Sequence, residues 1–352
     1  MTEKIRVLIV EDSLVVRELL RHIVGGDDRF EVVGAVESAE QCLEMLDSAA
    51  PDVISLDIRL PGMNGLDATL QIMNRRPTPI VVVAAQVDDD ELNIAMNALR
   101  AGALSVVEKP VGVTNAAFDA VAARLCTQLA IMSQVKVVRQ GANRGLRFGA
   151  AEVASPPARL AVSYAAVGIA ASTGGPQALV QVLGGLGPDF PLPVLLVQHI
   201  TSSFLDGFVS WLSTVTPLQA CIASEDELPL AGRVYLAPAD RHLALIHGRL
   251  SVSDAPPSFS QRPSGSVLFR SLAHDLGARG IGVVLTGMGG DGSDGLRDMH
   301  RAGAYTIAED ASTCVVYGMP DAAAKLGGVR EMLPLPAIAP RLCDLAGGGR
   351  ER

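Results

Sequence analysis

Short apolar runs alternate with amphipathic segments along most of this chain. From residue 5 the apolar runs are RVLIV, FEVVGAV, DVISLDI, PIVVVAA and LSVVEKP. The segments LVVRELLRHIV and AEQCLEMLDSA between them have the spacing of helices that bury one face. Strands that alternate with helices build parallel sheets, because a parallel connection has to cross the sheet. The first part of the chain is therefore predicted to be a doubly wound α/β domain.

A second set of buried-strand patterns begins at SYAAVGIA and continues through PVLLVQH, RVYLAP, HLALI, IGVVLTG and AYTIAED. It predicts a second doubly wound parallel-sheet domain, a Rossmann-like three-layer α/β/α unit. Between the two sets, glycines and a Pro-Pro pair interrupt any periodicity, and one acid accompanies five basic residues: Lys136, Arg139, Arg144, Arg147 and Arg159. We predict a first domain at 1–122, a linker at 123–162 and a second domain at 163–347.

Bulk composition excludes some classes of function. A hydrophobic fraction of 49% is ample for two cores, and a net charge of -9 disfavours a nucleic-acid partner. No apolar run approaches the roughly 20 residues of a membrane span, so we expect a cytoplasmic protein without membrane insertion. The odd number and wide spacing of the cysteines predict reduced thiols that pack as small core residues: Cys42, Cys126, Cys221, Cys314 and Cys343.

Charged residues close three strands of the first domain. Glu11 and Asp12 follow RVLIV, Asp57 follows DVISL, and Lys109 follows SVVE. Because functional groups collect at the carboxyl ends of parallel strands, these side chains are predicted to converge. Three carboxylates at one edge repel one another unless a cation lies among them, and Mg²⁺ prefers oxygen ligands. The pattern predicts a Mg²⁺ site with a lysine placed to neutralise a phosphoryl group.

With VEDS, LDIRLPGMNGLD and EKP in this order and spacing, residues 4–122 resemble the flavodoxin-like receiver domain of two-component response regulators. The resemblance implies that Asp57 accepts phosphate from a histidine kinase, with Mg²⁺ held by Asp57, Glu11 and Asp12, and that Lys109 contacts the phosphoryl oxygen. Two positions depart from the family pattern. Ala84 stands where a hydroxyl residue is usual, and Val106 where an aromatic residue is usual. We therefore predict that Asp57 is phosphorylated but that the conformational response is weak.

The second domain has the three groups that serine nucleophile chemistry requires: a hydroxyl, a base and an acid that orients the base. Ser172 closes SYAAVGIA, His199 closes PVLLVQH, and Asp291 lies in the glycine-rich loop after IGVVLTG. All three follow buried strands, so they are predicted to meet at one edge of the sheet. The other histidines are predicted to be surface or packing residues: His22, His242, His247, His274 and His300.

The stretch STGGP also has a purely structural interpretation. Gly174 and Gly175 allow a sharp turn from strand to helix, and Pro176 suits the first helical position. Ser172 or Thr173 could then be only the N-cap of that helix.

The loop LTGMGGDGSDGL allows a second interpretation, because it contains the G-x-G-x-x-G spacing of dinucleotide-binding turns. Glu309 or Asp310 follows about 20 residues later, as that fingerprint requires. Asp291 disfavours this interpretation, because its carboxylate would face a pyrophosphate inside the turn.

Seven motifs follow one another over about residues 163–346: GIAASTGGP, VQHI, YLAPADRHL, RPSGSVLF, LTGMGGDGSDGL, AGAYTIAED and CVVYGMP. In this order they resemble the catalytic domain of the chemotaxis protein-glutamate methylesterases of the CheB type. The resemblance implies that Ser172 is the nucleophile, His199 the general base and Asp291 its orienting partner. Thr173 and the backbone amide of Met288 are the implied contributors to an oxyanion site.

Two positions of the second domain depart from the family pattern. Ala170 stands where glycine is more frequent, and its methyl group is expected to narrow the site behind the nucleophile. Gly290 stands where asparagine is common, which removes a side-chain hydrogen bond.

The resemblance implies a carboxylic ester hydrolase that releases methanol from glutamyl γ-methyl esters of methyl-accepting chemoreceptors, and that also deamidates receptor glutamines. It implies a chemotaxis histidine kinase as phosphodonor, no cofactor for the ester hydrolysis, and inhibition by the receiver domain until phosphorylation. The alternative is a phosphorylation-controlled receptor-binding module without turnover. A binding module does not require a serine, an imidazole and a carboxylate at three strand ends, so the enzyme is the favoured interpretation.

Overall fold

Both predicted sheets form, and each consists of parallel strands. The computed structural model describes residues 3–84, 96–99, 101–110, 115–135 and 163–347. The basic residues of the predicted linker, from Lys136 to Arg159, lie outside these ranges. Among the described helices, none is both long enough and apolar enough to span a membrane.

The first sheet has five strands in the order β2-β1-β3-β4-β5. The strands are β1 (Ile5–Val10), β2 (Phe30–Val36), β3 (Val53–Asp57), β4 (Ile80–Ala84) and β5 (Ser105–Glu108). The helices with assigned limits are α1 (Leu14–Gly25), α2 (Ala39–Ala49), α3 (Gly65–Arg75) and α4 (Asn115–Met132). The strand order reverses between β1 and β3, and a crevice forms at such a point in a doubly wound sheet.

Helix α4 crosses residue 122, the predicted end of the first domain. Leu125, Leu129 and Met132 on this helix are buried in the same cluster as Val7 and Val81 of the first sheet. The helix therefore belongs to the core of the first domain as far as Met132. The predicted limits of the linker otherwise remain predictions.

The second sheet has seven strands in the order β14-β13-β12-β6-β7-β9-β8. The strands are β6 (Ala166–Ala171), β7 (Val194–Gln198), β8 (Gln219–Ile222), β9 (Arg233–Leu236), β12 (Gly280–Val284), β13 (Tyr305–Glu309) and β14 (Glu331–Leu333). A separate antiparallel hairpin joins β10 (His242–Ile246) to β11 (Arg249–Ser253). The edge strands β8 and β14 were not predicted, because four and three residues are too few to show a period.

Within the described residues 163–347 the second domain has six α-helices, of which five connect strands and the last follows β14. They are α5 (Gly175–Gly184), α6 (Ser202–Val215), α7 (Gly265–Leu276), α8 (Ser293–Arg301), α9 (Met319–Lys325) and α10 (Leu335–Gly347). Strand β6 comes first along the chain but lies inside the sheet, with β12 on one side and β7 on the other. The ends of these three strands are therefore neighbours, as the sequence predicted.

All five cysteines are free thiols, but they do not all pack as core residues. Cys42 and Cys126 are buried, as predicted. Cys221 and Cys314 are half-buried, and Cys343 is exposed. The prediction is wrong for Cys343, which lies on the outer face of the terminal helix α10.

Candidate active site

Ser172 lies in the turn between β6 and α5. The turn is closed by a hydrogen bond of 2.8 Å from the backbone N–H of Gly175 to the carbonyl oxygen of Ser172. Gly174 has a φ of 78° and is the N-cap of α5, with no side-chain cap. The interpretation of Ser172 or Thr173 as the N-cap is therefore wrong, because the left-handed glycine turns the chain after both residues. Neither hydroxyl is required to begin this helix.

His199 follows β7 and extends the pairing of β6 with β7. Its backbone N–H donates to the carbonyl oxygen of Ala171 at 3.0 Å, which brings it beside the nucleophile turn. Its Nε2 lies 2.9 Å from Oδ2 of Asp291. Because a carboxylate only accepts, the nitrogen that faces Asp291 carries the proton, and Nδ1 is free to accept one. In the described part of the chain no hydrogen bond joins the Ser172 hydroxyl to His199.

The carboxylate of Asp291 is buried and accepts hydrogen bonds from four groups. Besides His199, they are the hydroxyl of Ser264 at 2.5 Å, the N–H of Gly265 at 2.7 Å and the N–H of Ser266 at 3.1 Å. The two N–H groups belong to the first turn of α7, where the helix dipole favours a negative charge. Burial by itself raises the pKa of Asp291, but the bonds from His199 and Ser264 bring it below its usual value. The carboxylate therefore stays ionised beside the imidazole.

The sequence interpretation missed this support from Ser264 and its neighbours. The available signal was Ser-Gly-Ser directly before an apolar helical run, which is typical of a helix start. His242, which is fully buried, supports the same turn. Its Nδ1 accepts the N–H of Ser264 at 3.2 Å, and its Nε2 faces the carbonyl oxygen of Pro256 at 3.2 Å.

The other histidines are surface or packing residues, as predicted. His22, His274 and His300 lie on α1, α7 and α8, and His247 is exposed in the turn of the hairpin.

The two candidate oxyanion residues lie in loops that contact each other. The hydroxyl of Thr286 donates to the carbonyl oxygen of Thr173 at 2.9 Å, which ties the nucleophile turn to the loop that contains Met288. Among the described residues, the backbone N–H groups of Thr173 and Met288 donate to no protein group. Unpaired backbone donors are what an oxyanion site uses.

The dinucleotide interpretation loses Glu309, one of its two candidate acidic residues. Glu309 is fully buried, and its Oε2 accepts the N–H of Thr286 at 2.9 Å, so it faces the protein interior. Burial raises the pKa of this carboxyl above its usual value. Asp291 lies inside the glycine-rich turn and is held by α7. The loop therefore supports a catalytic carboxylate better than a bound pyrophosphate.

The methyl group of Ala170 does not narrow the site. The residue is fully buried, and a Cβ placed on Gly265 would come within 2.6 Å of the Ala170 methyl carbon. The methyl group thus packs against the start of α7. The expectation of a narrower site was wrong, because the side chain points to the helix rather than to the nucleophile. Gly290 leaves space that the ring of Phe259 approaches, 3.5 Å from the position of a Cβ.

The acidic residues of the first domain meet at the end of β1 and β3. Ligand oxygens of Glu11, Asp12 and Asp57 all lie within 4.8 Å of one another. Nζ of Lys109 lies 2.8 Å from Oδ2 of Asp57 and 2.9 Å from Oε2 of Glu11. Burial and the neighbouring Asp57 raise the pKa of Glu11 to about 7. The ammonium of Lys109 contacts two of the three carboxylates, and the cluster of carboxylate oxygens fits a hard divalent cation.

The first domain covers the candidate catalytic residues of the second. A cavity of about 640 Å³ between the two domains is lined by Ser172 and His199 on one side and by Val106 and Gln128 on the other. Direct hydrogen bonds cross the boundary from Arg124 to Thr201, from Gln177 to Leu99 and Ala103, and from Trp211 to Asn97. Access to the cavity therefore depends on how the two domains pack. Ala84, the other departure from the receiver pattern, is buried at the end of β4.

Comparisons with known proteins agree with this division. The family model described as CheB methylesterase matches residues 167–342, and the response regulator receiver domain matches residues 7–117. A curated protein of Paramagnetospirillum magneticum, named protein-glutamate methylesterase/protein-glutamine glutaminase 2, is 71% identical over all of both chains. A Myxococcus xanthus protein with the same name and the number 4 is 42% identical over 97% of this chain and 96% of its own.

A solved structure supports the fold of the second domain. The crystal structure of the Thermotoga maritima CheB methylesterase catalytic domain is 34% identical, with a TM-score of 0.50, and covers 52% of this chain and 100% of its own. The seven-stranded sheet and its three neighbouring strand ends are thus those of a methylesterase domain. This chain belongs to the CheB methylesterase family, with a response regulator receiver domain before the methylesterase domain.

Proposed function

We propose that this chain is a phosphorylation-regulated protein-glutamate methylesterase that hydrolyses glutamyl γ-methyl esters on chemoreceptors during sensory adaptation. The observation that carries the proposal is that His199, which is bonded to the buried Asp291, lines the same cavity as Ser172. The name of the relative that is 71% identical supports the same reaction. Deamidation of receptor glutamines at the same site is part of the proposal.

Ser172 is the proposed nucleophile. Its Oγ bonds to the ester carbonyl carbon while His199 takes the hydroxyl proton, and the resulting imidazolium is stabilised by the ionised Asp291. The C–O bond to the methoxy group then breaks, and His199 returns the proton so that methanol leaves. Water attacks the acyl-enzyme in the same way and releases glutamate and free Ser172. A glutamine side chain would lose ammonia in place of methanol.

The negative charge of each tetrahedral intermediate requires donors that are already in position. The backbone N–H groups of Thr173 and Met288 have no protein acceptor among the described residues, and both belong to loops beside Ser172. We assign them to the oxyanion site.

Asp57 is the proposed phosphorylation site of the receiver domain, with a chemotaxis histidine kinase as donor. Glu11, Asp12 and Asp57 would hold Mg²⁺, whose charge offsets that of the carboxylates and of the phosphoryl oxygens when it is bound. Lys109 already contacts Asp57 and would contact the phosphoryl group. A cytoplasmic location remains a prediction.

Regulation follows from the packing of the two domains. The receiver domain contributes Val106, Arg124 and Gln128 to the cavity that contains Ser172 and His199. Phosphorylation of Asp57 is proposed to weaken this packing and to open the cavity to a receptor helix. Ala84 and Val106 remain grounds to expect a weak response.

The test is methanol release from methylated receptor membranes by wild-type protein, Ser172→Ala and Asp57→Asn, with and without acetyl phosphate and Mg²⁺. Wild-type release should rise with the phosphodonor, Ser172→Ala should release none, and Asp57→Asn should keep basal release without stimulation. Release by Ser172→Ala at the wild-type rate would refute the nucleophile. A wild type that binds the receptor membranes but releases no methanol would favour the binding module.

A further inference from the structure

Gln198 is the last residue of β7 and is not used in the proposed chemistry. It pairs with Ala171 across the sheet, so it lies beside the residue that precedes Ser172 and is itself followed by His199. Its side chain is 5% exposed. A buried primary amide between the proposed nucleophile and the proposed base requires an explanation, because an amide costs free energy to bury unless it is hydrogen-bonded.

The amide nitrogen of Gln198 joins the two catalytic turns. Nε2 donates to the carbonyl oxygen of Ser172 at 2.9 Å and to that of His199 at 3.0 Å. A primary amide has two N–H donors, and here each is used on one of the two residues that have to exchange a proton. The two turns are otherwise linked by a backbone bond from His199 to Ala171.

The amide oxygen of Gln198, unlike its nitrogen, makes no hydrogen bond to the described residues. This oxygen, Oε1, is buried. It lies over Gly175, where a Cβ would come within 2.1 Å of it. The opposite orientation of the amide would place Oε1 against two carbonyl oxygens, so the two donor bonds determine the orientation. The two bonds donated by Nε2 thus fix the Gln198 side chain, although its Oε1 stays without a hydrogen-bond partner among the described residues.

We propose that Gln198 is a positioning residue that fixes the separation of Ser172 and His199. The proposal rests on the proposed function of those two residues. Transfer of a proton from hydroxyl to imidazole depends on their distance, and a displacement of about 1 Å can cost on the order of 100-fold in rate. Without both donor bonds, the two turns would be joined directly only by the backbone bond from His199 to Ala171.

The first test is Gln198→Met, which keeps the length and volume of the side chain and removes both donors. We expect kcat for methanol release from methylated receptor membranes to fall by about 10- to 100-fold, with KM within about twofold of wild type. Gln181→Met is the matched control, because Gln181 is exposed on α5 and outside the site. An unchanged kcat for Gln198→Met, or an equal loss in the control, would overturn the proposal.

Gln198→Glu separates positioning from general loss of structure. A protonated carboxyl can donate one of the two bonds, whereas a carboxylate would repel both carbonyl oxygens. The ratio of its kcat to that of wild type should therefore fall as pH rises, and the ratio for Gln198→Met should stay flat. A flat ratio for Gln198→Glu contradicts the proposal even if Gln198→Met does not fold.

A separate measurement distinguishes failure of the proposed function from failure of the proposed role of Gln198. If wild-type protein releases no methanol, the proposed function fails, but the rate at which phenylmethanesulfonyl fluoride inactivates Ser172 still reports on the pair. Inactivation should be slower by about 10-fold or more in Gln198→Met, because the base has to be within reach of the hydroxyl. Equal rates of inactivation would refute the role of Gln198.

Discussion

At the scale of single residues, the site is an arrangement of charges and donors around Asp291. The carboxylate is buried, and it stays ionised because His199, the Ser264 hydroxyl and two N–H groups at the start of α7 all donate to it. The Asp291 carboxylate therefore keeps its negative charge while its Oδ2 accepts the hydrogen bond from His199. The imidazole then has a fixed orientation before any substrate binds.

Ser264→Ala tests this support. The variant removes the hydroxyl that donates to Oδ1 of Asp291 and leaves the two N–H donors in place. We expect kcat to fall by about 10-fold, which corresponds to ~1.4 kcal/mol, with KM unchanged. The measurement is methanol release, with Ser253→Ala at an exposed position of β11 as control. A kcat equal to that of wild type would mean that the N–H groups of Gly265 and Ser266 hold the carboxylate without the Ser264 hydroxyl.

Glu309→Gln tests the second buried carboxyl of the methylesterase domain. Because burial raises its pKa above 4.5 in the folded protein, the folded state keeps a proton that the unfolded chain releases. Its contribution to stability is therefore lost as pH rises above about 4.5. Glutamine keeps an acceptor for the N–H of Thr286 and has no charge, so the variant should gain stability relative to wild type at pH 8 and little at pH 4.5.

Denaturant unfolding at the two pH values gives this difference, with Glu44→Gln on the exposed face of α2 as the control. An equal difference between Glu309→Gln and wild type at both pH values would show that the Glu309 carboxyl does not titrate differently in the folded state.

At the scale of elements, the turn from β6 to α5 depends on a left-handed residue. Gly174 has a φ of 78°, and a Cβ there would lie 2.5 Å from Cβ of Val315. Gly174→Ala should therefore lower the melting temperature by several degrees and reduce turnover, since the left-handed conformation alone costs an alanine about 1–2 kcal/mol. Thermal unfolding and methanol release measure the two effects.

Gly184→Ala is the matched control for that substitution. Gly184 ends the same helix, and outside its chain neighbours and its own helix backbone no described atom lies within 4 Å of the position of its Cβ. Alanine there should be neutral or slightly stabilising. If melting temperature and turnover fell equally in both variants, the left-handed conformation of Gly174 would not be what the turn requires.

The strand ends were predictable and their supports were not. Ser172, His199 and Asp291 follow apolar runs that are visible in the sequence. Because functional groups collect at the carboxyl ends of parallel strands, the sequence also predicts that the three residues meet. Ser264 is 27 residues from Asp291 along the chain, and its role depends on the packing of α7 beside the loop after β12. Gln198 reads as the end of an apolar run, and only the pairing of β6 with β7 reveals its two acceptors. Contacts between residues that are far apart along the chain cannot be predicted from the local periodicity of the sequence.

At the scale of the whole molecule, the receiver domain contacts the methylesterase domain through a small set of hydrogen bonds around the cavity. The receiver side consists of the helical residues 96–99, Ala103 and helix α4. The other side consists of the starts of α5 and α6 and of Trp211, near the end of α6. Helix α4 packs against β3, the strand that ends at Asp57, and also against β4 and β5, so a change at the proposed phosphorylation site has a direct path to this helix. Ala84 ends β4, and Val106 lies in β5.

Arg124→Ala tests whether these contacts restrain the enzyme. The variant removes the hydrogen bond of 3.1 Å from the Arg124 guanidinium to the hydroxyl of Thr201, which is the N-cap of α6 directly after the turn that holds His199. Because this bond joins the two domains, its loss should raise methanol release by unphosphorylated protein by a few fold and reduce the further stimulation by acetyl phosphate. Arg21→Ala on α1 removes the same charge at a position that pairs with Glu18 of its own helix, and basal release should stay at the wild-type rate. Unchanged basal release in Arg124→Ala, with wild-type stimulation, would show that inhibition does not depend on this contact.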